Sequence, residues 1–366
     1  MKWVTKQKGC MKKMKVSEKV FDYRNDQPIK LYTLENDQGF QMSCIDYGCV
    51  ITEIISPDRN GNLENVVLGF DTLEEYENNP YFFGALVGRF AGRIKDGKFS
   101  IEGKDYQVPK NSNGHNLHGG AKGFHSALWE SKVIQTENEA TVEFTYFSRD
   151  GEEGFPGNLS MTVRYTLKND SNQLVISYSG TSDKTTVLNV TNHSYFNLSG
   201  DFKRTILDHE LTIKSDHYLE LDDELLPTGN LVPVAEDTLF DFRNGRSIKE
   251  ATSAEHPQAQ LAGNGYDHPF LLDHSEQPEI ELTDSVSGRK LVVETTEPAV
   301  VLYTGNDIGG SYSVRGTQAQ DYLALCLETQ SPPDSLRHPH FQSAILNADE
   351  EFKSETTYTF SNISSG

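Results

Sequence analysis

The sequence predicts an all-β fold, a large antiparallel sandwich or barrel of many short strands. Apolar and polar residues alternate with a period of two in four segments, as they do in half-buried strands: residues 141–148, 159–167, 173–179 and 289–293. Turn-forming dipeptides separate such segments: Asn60-Gly61, Asp96-Gly97, Asp150-Gly151 and Ser287-Gly288. Short strands at a spacing of roughly 8–12 residues are typical of both architectures, and we expect a large β-sandwich.

Two local elements can be predicted in more detail. Residues 98–101 and 104–108 flank a Glu-Gly turn, which is the pattern of a β-hairpin. Helical periodicity is scarce, but residues 71–79 predict one or two helical turns. There Asp71 is expected to be the N-cap, with Glu74 three residues later completing a capping box.

The chain of 366 residues is long enough to bury a sizeable core without a disulfide or a metal. Neither a linker nor a fixed-period repeat interrupts residues 21–366, which we predict to form a single domain. Residues 1–20 contain seven Lys and one Glu and are predicted to be a flexible basic arm. The polar residues 249–265 are expected to form a long loop. No apolar run approaches the roughly 18 residues of a membrane span, so a transmembrane class is excluded.

The net charge restricts the partners of the protein. The chain carries 33 basic and 54 acidic residues, a formal net charge of −21. Because so acidic a body repels phosphate backbones and anionic lipids, we expect neither nucleic acid nor a membrane as a partner. A neutral small molecule fits best, and a monomer is the default expectation.

Cysteine usage and missing motifs point to a protein of the cytoplasm without a cofactor. The four cysteines form neither a Cys-x-x-Cys pair nor a zinc spacing, and Cys326 is expected to be a buried thiol. The N-terminus lacks the apolar stretch of a signal peptide. Dinucleotide, ATP, zinc-protease and serine-nucleophile motifs are not found, so no cofactor or metal is predicted.

Two apolar segments carry polar residues that suit neither a core nor a surface. In residues 186–200, read as one strand, His193 and Tyr195 share a face with both apolar and polar residues. This pattern fits a wet cleft or, alternatively, a histidine that is hydrogen-bonded inside a sheet. In residues 321–330, the small residues before Glu328 on its face leave room for a ligand, although a solvated strand end fits equally well.

Three further segments contain candidate ligand-binding residues. Residues 111–120 place His115 and His118 in a glycine-rich loop, where positive φ angles allow close backbone approach; an ordinary surface loop is the simpler interpretation. Arg89 and Arg93 lie among small residues, a setting in which Arg usually pairs with a carboxylate. Asp267 precedes a proline, which is also compatible with turn chemistry.

Taken together, these segments resemble the aldose 1-epimerase (galactose mutarotase) family. The matching pieces, in the family's order over roughly residues 25–360, are GRFAGRI around Arg93, NLHGG around His118, TNHSYFNLSG around His193, GYDHPF around Asp267 and LCLETQSPPDS around Glu328. The VLYTGN stretch at residues 301–306 also resembles the family. The chain departs from the pattern at Gly92, where many members have Asn, which puts one hydrogen bond to the sugar in question.

The resemblance implies a β-sandwich of the galactose mutarotase type, with the sugar in an open cleft. It implies that Glu328 is the general base, that His193 is the general acid, and that His118 assists near the ring oxygen. Arg93, Asp267 and His118 would bind the sugar. Arg89, His115 and His268 keep structural interpretations.

The implied reaction interconverts the α- and β-anomers of free hexoses such as galactose and glucose. It needs a base at the C1 hydroxyl and an acid at the ring oxygen, and an ionised Glu with a proton-carrying His suits both roles near neutrality. It needs no cofactor. Two alternatives remain: an epimerase of hexose 6-phosphates, and a non-catalytic carbohydrate-binding protein on the same fold. The preferred aldose cannot be deduced.

Overall fold

The computed structural model describes residues 14–363, a range that is rich in short strands. Numbered in chain order, the strands are β1 Lys15–Arg24, β2 Gln27–Glu35, β3 Gln41–Ile45, β4 Ile51–Pro57, β5 Leu63–Asn65, β6 Leu86–Val87, β7 Arg93–Ile94, β8 Lys98–Ile101, β9 Lys104–Gln107, β10 Asn116–Leu117, β11 Glu130–Gln135, β12 Glu139–Ser148, β13 Leu159–Lys168, β14 Gln173–Ser182, β15 Thr186–Val187, β16 Thr191–Asn192, β17 Tyr195–Phe196, β18 Glu210–Ile213, β19 His217–Leu221, β20 Pro227–Pro233, β21 Arg246–Ser247, β22 Asp267–Leu271, β23 Ile280–Thr283, β24 Arg289–Thr295, β25 Ala299–Tyr303, β26 Ser313–Val314, β27 Thr317–Gln318, β28 Leu325–Gln330, β29 Ile345–Leu346 and β30 Glu351–Asn362. The helices are α1 Leu73–Glu77 and α2 Pro257–Leu261, with short 3₁₀ turns at Lys95–Gly97, Phe124–Ser126, Glu152–Gly154, Ile206–Asp208, Val234–Glu236, Ile248–Ser253 and Ser335–Arg337.

The largest sheet contains nine strands in the order β11-β12-β13-β14-β30-β24-β23-β18-β21, and its pairs are antiparallel. The four segments predicted from alternation all lie in it, as β12, β13, β14 and β24. In β13 every second residue is buried, as the period of two requires. The alternation therefore predicted these strands correctly.

A six-stranded antiparallel sheet, in the order β17-β28-β25-β22-β19-β20, faces the nine-stranded sheet across a shared core. The core combines Val163 and Leu291 of the larger sheet with Val300 and Leu327 of the smaller one. A third sheet, β1 to β5, packs its apolar side chains into the same core. Two sheets that bury their apolar faces against each other form a β-sandwich, which confirms the predicted fold class.

The hairpin is confirmed and the helix lies one residue later than predicted. Strands β8 and β9 pair across Glu102 and Gly103, which both adopt the positive φ of a tight hairpin turn. The N-cap of α1 is Thr72 rather than Asp71, and Glu75 rather than Glu74 completes the capping box. Burial of the apolar side of the helix against the protein sets this register.

Residues 249–265 are not a featureless loop, so that prediction is wrong in part. A 3₁₀ turn at Ile248–Ser253 and helix α2 occupy most of the segment. Ala251 and Ala259 are fully buried, and Pro257 opens α2 at the first-turn position that tolerates a missing N–H. The buried alanines anchor this segment to the protein, although its other residues are mostly polar.

The predicted basic arm of residues 1–20 overlaps the first strand. Residues 15–20 belong to β1, which pairs with β2, whereas residues 1–13 lie outside the described part of the chain. Within residues 14–363, no helix is long and apolar enough to cross a membrane.

Candidate active site

Strand register arranges polar residues in a row across the six-stranded sheet. Asp267 of β22 pairs with Tyr303 of β25, Tyr303 pairs with Cys326 of β28, and Cys326 pairs with Tyr195 of β17. Cross-strand partners point to the same face of a sheet. Three of the four, all but Cys326, line a cleft of about 450 Å³.

His193 and Glu328 meet just beyond this last pair, where His193 precedes β17 and Glu328 continues β28. His193 lies two residues before Tyr195, and Glu328 lies two residues after Cys326, so an antiparallel register brings them together. Nε2 of His193 is 3.4 Å from Oε1 of Glu328, and each residue is only 4% exposed. Both line the cleft, as the cleft interpretation predicted.

The segment around His193 is not the single strand that the alternation suggested. Residues 186–200 contain only the two-residue strands β15, β16 and β17. The Asn189 side chain donates to the carbonyls of Ala91 and Ser331, and that of Asn192 donates to the carbonyl of Gly84. Side-chain amides that bond to backbone groups replace ladder bonds and bend the chain.

His118 lies beside His193, with an unusual backbone and a defined ring orientation. Its φ is +53°, its ring stands edge-on to that of His193 at a centroid distance of 5.1 Å, and the residue is buried. The backbone N–H of Gly92 donates to its Nδ1 at 3.2 Å. This bond assigns the neutral ring to the tautomer that carries its proton on Nε2.

The glycine pair after His118 makes the predicted close approach, but to the protein itself. Gly119 and Gly120 both have positive φ. A Cβ on Gly119 would lie 2.0 Å from the carbonyl oxygen of Gly88, and one on Gly120 would lie 2.2 Å from a carboxylate oxygen of Glu153. Neither glycine lines the cleft, but Ser112, Asn113, Leu117 and His118 of the same loop do.

Arg93 and Asp267 face each other across the cleft. Nη1 of Arg93 lies 4.0 Å from Oδ2 of Asp267, and both side chains keep about a fifth of their surface exposed. Asp334 supports the short strand β7, because its N–H donates to the carbonyl of Arg93 and its Oδ1 accepts from the N–H of Lys95. The LETQSPPDS segment thus supplies Glu328 and also anchors Arg93.

Burial shifts the pKa values of the site residues. It raises the pKa of Glu328 well above its usual value, reinforced by Asp267 and opposed by Arg93. It lowers the pKa of His193 to about 4 and that of His118 well below its usual value. The pKa of Asp267 rises to about 6 for the same reason, with Arg93 opposing the shift. In each case the solvent-poor cleft disfavours the charged form.

Sequence reasoning missed several residues that line the cleft. Tyr303 hydrogen-bonds to Asp307, and the VLYTGN stretch, which contains Tyr303, was the signal that could have identified it. Phe82 contacts the rings of His118 and His193 at centroid distances of 4.9 and 5.9 Å. Its place depends on a positive-φ turn distant in sequence from both histidines, so no local pattern announces it.

Arg89, His115 and His268 have structural partners. Arg89 is buried and donates to the carbonyls of Ser148, Arg149, Pro156 and Gly157 and to the hydroxyl of Ser148, so its partners are backbone and hydroxyl oxygens rather than the expected carboxylate. His115 accepts from the N–H of Asp96. His268 accepts from the N–H of Asp267 and so orients that strand end.

His118, His193 and Glu328 each offer a ligand atom within 4.8 Å of the others, a set that zinc sites also use. A ligating imidazole needs a free nitrogen lone pair. In His118, Nδ1 already accepts from Gly92 and Nε2 carries the proton. The hydrogen bonding of His118 therefore suits a donor to a substrate oxygen better than a metal ligand.

Comparison with known proteins identifies the family of the chain. Residues 30–359 match the family model described as aldose 1-epimerase. The bovine galactose mutarotase is 41% identical over 336 residues, which cover 91% of this chain and 94% of that protein. The chain belongs to the aldose 1-epimerase family. The aldose 1-epimerase of Escherichia coli K12 is 36% identical over 340 residues, with coverage of 91% and 96%.

Solved structures of aldose 1-epimerase relatives have the same fold. The galactose 1-epimerase of Lactobacillus acidophilus superposes with a TM-score of 0.85 at 31% identity, covering 95% of this chain and 99% of that one. An aldose epimerase homologue from C. elegans gives 0.81 at 31% identity, with coverage of 90% and 98%. The β-sandwich is thus of the galactose mutarotase type, and the protein is an isomerase with mutarotase activity on sugars.

Proposed function

We propose that Glu328 and His193 are the general base and the general acid of anomer interconversion. The observation that supports this most directly is their 3.4 Å separation at the floor of the cleft. In a cyclic aldose, the hydroxyl oxygen O1 and the ring oxygen O5 are both bonded to C1. Two side chains that act on two such neighbouring oxygens must themselves be neighbours.

Ring opening uses both groups at once. The Glu328 carboxylate removes the proton from the C1 hydroxyl, and the electron pair of that bond forms the aldehyde double bond. The C1–O5 bond breaks, and O5 takes a proton from Nε2 of the protonated His193. Each positioned group contributes roughly 10²- to 10⁴-fold to the rate.

Ring closure returns both protons. After rotation about C1–C2, neutral His193 removes the proton from O5, which attacks the other face of C1. The carbonyl oxygen then takes a proton from Glu328, and the site regains its starting state. Burial makes the Glu328 carboxylate a stronger base and protonated His193 a stronger acid. The same shifts favour protonated Glu328 and neutral His193 at neutral pH, so the reactive pair is a minor state of the free site.

Three other residues bind and orient the sugar in this proposal. His118 presents an N–H to the cleft, which suits hydrogen bonding to a ring or hydroxyl oxygen. Arg93 donates to hydroxyl oxygens, and the Asp267 carboxylate accepts from hydroxyl groups. Arg93 also opposes the rise in the pKa of Glu328 and so favours its basic form.

The cleft suits a neutral sugar better than a hexose 6-phosphate. Among the described residues that line it, Arg93 is the one Lys or Arg, and the lining also contains three acidic residues, Asp267, Asp307 and Glu328. Lys95, near the rim, is engaged with Asp222 and Glu224 at 3.7 and 3.5 Å. A phosphate group would meet net negative charge here.

Free galactose and glucose are the proposed substrates, and the names of the mammalian relatives favour galactose. We place the protein in the cytoplasm, since Cys44, Cys49 and Cys326 are free thiols that suit a reducing compartment. As the default, we propose a monomer that needs neither metal nor cofactor.

Polarimetry on freshly dissolved α-D-galactose and α-D-glucose, at neutral pH with EDTA, tests the substrates and the absence of a metal. We expect relaxation faster than in buffer with both sugars, and unchanged rates when EDTA is left out. Glucose 6-phosphate should relax more slowly with the protein than glucose does. Faster relaxation of the phosphate would favour the phosphorylated substrate, and no acceleration by folded protein would favour a silent sugar-binding role.

A further inference from the structure

The nitrogen of His193 that faces away from Glu328 has a partner of its own. Sγ of Cys326 lies 3.4 Å from Nδ1 of His193, and the thiol is fully buried. Sulfur hydrogen bonds are longer than those of oxygen, so this is a direct contact. Because Cys326 and Glu328 are two residues apart on β28, one face of the strand contacts both nitrogens of the same imidazole.

Tyr195 completes the surroundings of this thiol. It is the cross-strand partner of Cys326. Its ring also stacks on His193, with centroids 5.2 Å apart and planes at 30°. The imidazole is therefore held at its face by Tyr195 and at its edge by Cys326.

The proposed cycle requires one particular arrangement of protons on His193. When Nε2 gives its proton to O5, the neutral ring that remains must carry its proton on Nδ1. Only this tautomer leaves a lone pair on Nε2 that can take the proton back during closure. An acceptor opposite Nδ1 favours this tautomer throughout the cycle.

We propose that Cys326 is a positioning residue that accepts the Nδ1 proton of His193, so that Nε2 is the nitrogen that loses and regains its proton. The inference rests on the role of His193 as the acid. A thiol is a weak acceptor, so it selects the tautomer without stabilising the imidazolium. A carboxylate in its place would stabilise the imidazolium. His193 can then keep the lowered pKa that its burial imposes.

Replacement of the thiol provides the test. In Cys326→Ala, we expect kcat to fall about 10-fold while KM stays within about twofold, because the orientation of the acid changes and the sugar contacts do not. Cys326→Ser, which restores an acceptor, should recover activity to within about threefold of the parent protein. Cys44→Ala, which removes a buried thiol outside the cleft, is the matched control and should keep the parent kcat.

The tautomer itself can be measured by nitrogen-15 NMR of the histidine rings, with His193→Asn to assign the signal. The proposal expects the Nδ1–H form of neutral His193 in the parent protein and in Cys326→Ser, and a mixture of forms in Cys326→Ala. Full activity of the alanine variant, or a serine variant as slow as alanine, would overturn it. The Nδ1–H form in the parent protein together with parent-like kcat in His193→Asn would instead contradict the acid role of His193.

Discussion

Alternate side chains point to opposite faces in both the nine-stranded and the six-stranded sheet, but the outer faces of the two sheets differ in burial. In β13 of the larger sheet, buried side chains alternate with partly exposed ones, so one face packs on the core and the other meets solvent. In β28 of the smaller sheet, all six residues are buried. There Leu325 and Leu327 join the shared core, whereas Glu328 faces the cleft.

This difference separates residues that hold the fold from residues that serve the reaction. The outer face of β13 in the larger sheet keeps its side chains partly exposed to water. The cleft face of the smaller sheet removes water from Glu328, His193 and Asp267 and shifts their pKa values. Substitutions on the cleft face should therefore change activity, and substitutions in the shared core should change stability.

The largest effect is expected for Glu328→Gln. The amide keeps the shape of the side chain but cannot take a proton, so kcat should fall about 10³- to 10⁴-fold with the fold intact. Polarimetry measures kcat, and circular dichroism measures whether the fold is intact. Glu297→Gln is the matched control, since Glu297 is also buried with a pKa raised to about 7 by burial, but lies outside the cleft. Near-parent kcat in the Glu328→Gln variant would refute the assignment of the base.

His193→Asn should have the next largest effect. Loss of the proton donor is expected to lower kcat about 10²-fold, while KM changes by less than about threefold. Steady-state kinetics on both sugars separate the two constants. If KM alone rises, His193 binds the sugar and does not act as the acid.

The opposite outcome is expected in the core of the larger sheet. Leu167 is fully buried in β13, so Leu167→Ala should lower the free energy of unfolding by about 3 kcal/mol. Its kcat should match that of the parent below the unfolding transition. Thr162→Ala, on the outer face of the same strand, should change stability by no more than about 0.5 kcal/mol. Urea unfolding compares the two variants.

The smallest effect concerns the pH dependence of sugar binding. The pKa of Asp267 is raised to about 6, so its carboxylate loses its charge as the pH falls through that value. KM should rise by up to about 10-fold between pH 7 and pH 5, because a neutral carboxyl is a weaker acceptor. Asp267→Asn should have a high KM that is flat over this range, and Glu297→Gln should keep the parent profile. A sloping profile in Asp267→Asn would assign the titration to another group.

Individual residues show how far local patterns could predict the molecule. The alternation in β12, β13, β14 and β24 survives folding because one face packs on the core. The same rule fails for residues 186–200, where Asn189 and Asn192 bond to distant backbone groups and break the strand. The N-cap was misplaced by one residue, since Asp71 and Thr72 are both good caps and burial chose between them.

The candidate site was likewise predictable only in part. The motifs named Arg93, His118, His193, Asp267 and Glu328 as candidates, and in the folded chain all five line one cleft. The distances between them were not predictable, because they depend on pairing and packing between segments that are separated in the sequence. The approach of Phe82 to two histidines and the bond from Gly92 to His118 carried no signal in the sequence for the same reason.

The sequence by itself determined the β-sandwich class, most of its long strands and the residue types that the chemistry needs, because alternation and side-chain identity are local properties. Only the tertiary structure decided that His193 meets Glu328 at 3.4 Å, that Cys326 contacts the far nitrogen of the same ring, and that burial shifts their proton affinities. Distances and loss of solvent arise from the packing of distant segments, and short stretches of sequence cannot specify them.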